Sequence, residues 1–234
     1  MLRMGFALIG MLVATAAVAQ TPSRPAEDVA RDALRKPAEM VTFAHIRAGA
    51  KVADMIPGTG YFTRVFAGAV GSTGTVYALV PATLIARYPK ALTTMQTLAA
   101  EPGYGNVKVL AWSGAQFPPE RLDVVWTAQN YHDLHNGAPG TVEGVNKAVF
   151  AQLKPGGIYV VLDHAAMAGS GARDTSTLHR IDPAVVKAEV TAAGFVFDGE
   201  DKTLANPADP HTANVFDPSI RGHTDQFIYR FRKP

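Results

Sequence analysis

Short apolar runs and longer amphipathic stretches take turns along this chain, and their order predicts a sheet covered by helices. An apolar pair, Val52-Ala53, leads into helical spacing over Tyr61 to Ala69. Strands follow at Thr75 to Val80, Val107 to Ala111, Leu122 to Thr127, Ile158 to Asp163, Phe195 to Gly199 and Phe227 to Phe231. Helical patterns lie between them at Thr83 to Ala100, Val142 to Leu153 and Pro183 to Ala193, and two more, Ala26 to Leu34 and Pro37 to Ile46, precede the first strand. Such alternation argues an α/β domain with a mainly parallel sheet covered on both faces. Between the last two strands, residues 200–225 form a polar stretch bearing Pro207, Pro210 and Pro218. A loop this long reads either as an ordered flap over a ligand crevice or as a surface excursion.

Residues 1–19 depart from this pattern. Arg3, an apolar segment from Met4 to about Val13, and the small-residue site Ala17-Val18-Ala19 have the order of an export signal cleaved after Ala19. That predicts a periplasmic or secreted protein with no stable membrane anchor after cleavage. Residues 20–36 then form a lead-in and residues 37–234 a single domain. With 47% hydrophobic and 18% charged residues the composition is that of a globular domain. The absence of cysteine excludes disulfides and thiolate chemistry. A net charge of +2 is too small to point to nucleic acid, and nothing in the pattern fixes an oligomeric state.

The chemistry gathers at strand ends. Lys51 to Thr63, KVADMIPGTGYFT, reads as a strand ending in Asp54, a turn through Pro57, Gly58, Thr59 and Gly60, and a helix start. Glycines let the backbone approach a ligand closely, and a helix start offers free N–H donors, so a nucleotide-like ligand is the expected guest. On Asp54, Gly58 and Gly60 the chain resembles the class I S-adenosylmethionine-dependent methyltransferases. Leu153-Lys154-Pro155-Gly156-Gly157 resembles that family's turn before its fifth strand. A bacterial group of predicted methyltransferases shares the P-G-x-G-Y-F-T-R turn, the Q-N-Y-H-D-L loop and the D-P-H-T segment. The resemblance covers residues 37–234 and implies a Rossmann-like domain with a seven-stranded sheet whose last strand is antiparallel. It also implies S-adenosylmethionine as cofactor, bound by Asp54, Pro57, Gly58, Thr59 and Gly60 with Val80, Trp112, Ser113 and Asn130 at neighbouring strand ends. Two departures stand out: Ile56 replaces the first glycine of the pattern, and no carboxylate for the cofactor ribose follows the second strand, where the chain has Val80-Pro81.

After the fourth strand, residues 127–136 pack an amide, a phenol, two imidazoles and a carboxylate into one loop. In the sheet order the resemblance implies, His164 at the end of the fifth strand lies near it. Tyr131, His132, Asp133, His135 and His164 are therefore the expected reaction end, acting on a small-molecule substrate. His132 is the first choice of proton acceptor and His164 the second, because an ordinary imidazole titrates near neutral pH. The loop supplies metal-ligand types, but H-D-x-H is not an established metal spacing, so no metal is expected. Export and the incomplete cofactor pattern leave a second reading open: a methyltransferase scaffold with a changed ligand, serving as a lyase, isomerase, hydrolase or binding protein.

Overall fold

A computed structural model describes residues 22–138 and 140–234; the expected export signal lies outside the described residues. Seven strands form one sheet: β1 (Lys51–Met55), β2 (Thr75–Pro81), β3 (Val107–Trp112), β4 (Leu122–Ala128), β5 (Leu153–His164), β6 (Val196–Asp201) and β7 (Gln226–Arg232). Their order is β3-β2-β1-β4-β5-β7-β6. The first five are parallel, and β7 runs antiparallel between β5 and β6. This is the Rossmann-like methyltransferase architecture that the alternation and the resemblance implied.

Successive strand residues point to opposite faces, so each strand feeds two cores. On β4, Val124 and Trp126 join Phe62, Phe66 and Met95 on one side, while Val125 joins Tyr159, Val186 and Val190 on the other. The first core is covered by α3 (Pro37–Phe43), α4 (Tyr61–Val70) and α6 (Lys90–Ala100), the second by α7 (Thr141–Gln152) and α8 (Pro183–Ala192). No described helix is long and apolar enough to cross a membrane.

Most boundaries shift by one to three residues, and three elements differ from the pattern in kind. The expected Thr83–Ala100 helix is two, α5 (Ala82–Arg87) and α6, because Pro89 drives Tyr88 out of the helical region to φ −136°, ψ 83°. The expected Ala26–Leu34 helix is also two short pieces, α1 (Ala26–Val29) and α2 (Asp32–Arg35). Helices of one turn are not stable on propensity. Arg24–Asp32 and Arg31–Asp28 hold them together, and the Arg64–Asp28 pair and the Tyr61 hydroxyl, which donates to Asp32, fasten the lead-in onto α4. Lastly, Leu153 to Gly157 is not a turn before the fifth strand but its beginning. Leu122 pairs with Leu153 and Val124 with Ile158, so the extra residues form a bulge within the ladder.

Candidate functional site

The strand order reverses between β1 and β4, and a crevice opens there at the carboxyl ends of the strands, where open α/β sheets bind ligands. It encloses about 160 Å³ and is lined by Asp54, Ile56, Pro57, Gly58, Thr59 and Asn130, with Tyr61 and Phe62 at the start of α4. Asp54 is 3% exposed and accepts a 2.6 Å hydrogen bond from Thr63 Oγ1. Burial pushes its pKa up to about 7, against the opposing pull of the Thr63 hydrogen bond and the Arg35 charge. The two glycines of the turn do different work. Gly58, at φ 59°, faces open space, whereas a Cβ on Gly60, at φ 87°, would lie 2.3 Å from Leu98 Cδ1. Gly58 therefore leaves its side of the turn open to the crevice, and Gly60 serves the packing of α4 against α6.

Ile56 holds φ 57°, a conformation that a β-branched residue adopts only under strain. The backbone thus needs the glycine that the methyltransferase pattern supplies there, and this chain keeps the conformation with an isoleucine. Its side chain narrows the crevice. Arg31 and Arg35 line the same space from the lead-in. Arg35 lies 4.8 Å over the Tyr61 ring and donates to Gln129 Oε1 at 3.1 Å, and Arg31 lies 5.0 Å over the same ring. Gln129 lies in the loop that the sequence places at the ligand end of the sheet, but Arg31 and Arg35 were missed. The i, i+4 arginine pair was legible, but the lead-in had been separated from the domain it joins.

Farther along the same edge, the carboxylate of Asp163 on β5 organises the histidines. It accepts the backbone N–H groups of His132 and His164 at 2.8 Å each, and it meets His132 Nδ1 at 2.9 Å. In the neutral imidazole the network assigns the proton to Nδ1, which leaves the Nε2 lone pair of His132 facing His179 Nδ1 at 3.3 Å. Burial opposes charge on His132, yet the adjacent Asp163 charge and hydrogen bond outweigh it and hold the imidazole above its usual pKa. Burial would raise Asp163 in turn, but His132 holds it below the usual carboxylate range. His164 behaves oppositely. Burial drives it down to about 4, and its Nδ1 meets Thr224 Oγ1 at 2.8 Å, so it is neutral at pH 7 and too weakly basic to be the preferred proton acceptor.

The structure does not bring all the expected residues together. Tyr131 is fully buried, donating to Glu189 Oε2 at 3.0 Å and accepting from Asn146 Nδ2 at 2.8 Å, and so faces α7 and α8. His135 pairs with the same Glu189 at 3.2 Å and borders a separate cavity. The 3₁₀ turn His132–Asn136 carries neighbouring side chains to opposite sides, which a list of loop residues cannot show. Val80 and Trp112 are core residues, 2% and 4% exposed, and neither they nor Ser113 reach the crevice. β3 is an edge strand two places from β1, which puts Trp112 and Ser113 beyond the switch point. Residues 200–225 are ordered and lie over the loop at 165–181, with Asn214 Nδ2 donating to Thr177 O and the Val215 N–H to Leu178 O. None of them lines the glycine-turn crevice.

Fold and crevice together define a protein of the class I S-adenosylmethionine-dependent methyltransferase architecture. Solved structures agree on the fold: a SAM-dependent methyltransferase from Aquifex aeolicus matches 88% of this chain and 93% of its own at 17% identity, with a TM-score of 0.62. The [4+2]-cyclase SpnF matches 86% of this chain and 81% of its own at 17% identity, with a TM-score of 0.65. Residues 17–164 match the model of the protein-L-isoaspartate(D-aspartate) O-methyltransferase (PCMT) family, and the chain belongs to that family. A protein-L-isoaspartate O-methyltransferase from Ignicoccus hospitalis is 34% identical over 125 residues, 53% of this chain. The chain spans about half the length of that curated relative (52%).

Proposed function

We propose that this protein is an exported methyltransferase that binds S-adenosylmethionine in the crevice between β1 and β4 and transfers its methyl group to a small acceptor at the His132 end of the same edge. The observation that carries the reading is the crevice itself: Asp54, the open glycine Gly58 and the α4 start converge at the point where the strand order reverses. Asp54 faces the cofactor's positive charges, and the free N–H donors of the α4 start meet its carboxylate. Methyl transfer needs chiefly alignment of the acceptor with the sulfonium carbon, and most of the protein's contribution is positioning. The His132 Nε2 lone pair is available for the proton that a hydroxyl or amine acceptor releases, a contribution of about a hundred- to ten-thousand-fold. Export is supported by the order of charge, apolar segment and A-x-A site in residues 1–19.

A second reading has its own support. A cavity of about 160 Å³ is smaller than the roughly 300 Å³ at which ligand pockets usually begin, and it is rimmed by Arg31 and Arg35. Ile56 and the missing acid after β2 point the same way, to a smaller anionic ligand on a kept scaffold. The experiment supplies the purified mature protein with methyl-labelled cofactor and, separately, small phenols, amines, carboxylates and an isoaspartyl peptide, the last chosen from the Ignicoccus relative's name. Label appearing in a small acceptor supports the proposal. Label only in the peptide moves the acceptor to protein, and no transfer to any acceptor favours the changed ligand.

A further inference from the structure

We propose that His132, Asp133 and His179 form a binding site for a divalent transition-metal ion of the zinc class, with a position left open for an oxygen-bearing ligand. One ligand atom from each of the three lies within 4.8 Å of the others. His132 Nε2 stands 3.3 Å from His179 Nδ1 and 3.5 Å from Asp133 Oδ1. Zinc–nitrogen bonds of about 2.0–2.1 Å in tetrahedral geometry set neighbouring ligand atoms about 3.3–3.4 Å apart. Two imidazoles and one carboxylate are also the donor set of zinc centres that keep a coordination position open.

Two further observations point to a ligand rather than to a chance cluster. The carboxylate of Asp163 holds His132 Nδ1 at 2.9 Å, and this carboxylate–histidine arrangement orients an imidazole so that its other nitrogen faces a metal. His179 is set in place by its neighbours. Its backbone holds φ 55°, and the next residue, Arg180, is fully buried, donating to Asp209 Oδ2 at 2.8 Å and to Ala165 O at 2.9 Å. A simple hydrogen bond between the two imidazoles explains the 3.3 Å contact; the carboxylate of Asp133 beside the same nitrogen makes it a convergence of three donors on one point.

Sequence spacing concealed this site. His179 lies 47 residues beyond His132, and the local H-D-x-H pattern points to His135, which the structure pairs with Glu189 instead. The site stands independently of methyl transfer; only its use, holding an acceptor oxygen, rests on that reading. With an ion bound, His132 Nε2 is a ligand and no longer a base, so His132→Ala does not separate the two roles. Substitutions at His179 and Asp133 do.

Untagged, chelator-treated protein is titrated with zinc chloride by calorimetry, with magnesium chloride as the hard-cation comparison. The expected result is one zinc site per chain, no magnesium binding at the same concentrations, and affinity lowered about a hundred-fold or more in His179→Asn and Asp133→Asn. Asparagine suits the left-handed backbone at residue 179, and Asp133 is half exposed, so at least one variant keeps its fold. His135→Ala retains wild-type zinc affinity, and both ligand variants retain whatever S-adenosylmethionine affinity the wild type has, which separates loss of the metal from failure of the cofactor reading. No zinc binding, equal binding of magnesium, or unchanged zinc affinity in the folded Asp133→Asn protein overturns the proposal.

Discussion

At the scale of single residues, the turn after β1 explains itself through backbone conformation. Gly60→Ala forces a Cβ into Leu98 at a positive φ and is expected to cost about 2–4 kcal/mol, whereas Gly58→Ala meets only the left-handed penalty of about 1–2 kcal/mol. Urea midpoints of the two variants check the difference, and equal losses would contradict the division of labour. Asp54 supplies a pH prediction. Its folded pKa of about 7 lies above the ordinary 3.8, so the folded state binds the proton more tightly than the unfolded chain. The ligand-free protein therefore loses stability as pH rises from about 4 to about 7, at up to about 1.4 kcal/mol per unit, and the loss levels off above 7. Asp54→Asn removes that slope, measured as the difference between the two proteins' unfolding free energies. A cationic cofactor needs the ionised form, so its affinity rises as pH is raised through about 7. The acid and both glycines were legible in the sequence because turn chemistry is local. The strain at Ile56 was visible only as a missing glycine, and its reason, φ 57°, came from the fold.

At the scale of elements, alternation located every strand because a buried parallel sheet writes itself as apolar runs. It misjudged what short-range pattern does not encode: the Tyr88-Pro89 break, the bulge in β5, and which way each loop side chain turns. Tyr131 and His132 are adjacent, yet one meets Glu189 and the other Asp163. His179 joined the site through a long-range contact that no spacing announces. Residues 200–225 are tied down by the fully buried Arg180–Asp209 pair. Breaking a buried pair by removing one partner leaves an uncompensated charge, so Asp209→Ala is expected to cost about 3–5 kcal/mol. Hydrogen exchange on the variant should show residues 206–217 losing protection before β1 and β4 do. Simultaneous loss across the whole chain would show instead that the pair supports the core.

At the scale of the whole molecule, a parallel sheet with its order reversed between β1 and β4 places one crevice beside one histidine cluster along a single edge, with the lead-in arginines closing over it. The proposed export belongs at this scale as well: intact mass of protein recovered from the periplasm is expected to begin at Gln20, and an unprocessed cytosolic product would contradict it. The lead-in must yield for a cofactor larger than about 160 Å³ to enter, so bound cofactor is expected to change the protease sensitivity of residues 22–36. The central claim is that this crevice is a cofactor site. Calorimetric titration of the mature protein with S-adenosylmethionine and with its demethylated product tests it most directly. The account predicts saturable one-to-one binding of both, weakened in Asp54→Asn; no heat at millimolar concentrations of either compound would contradict it.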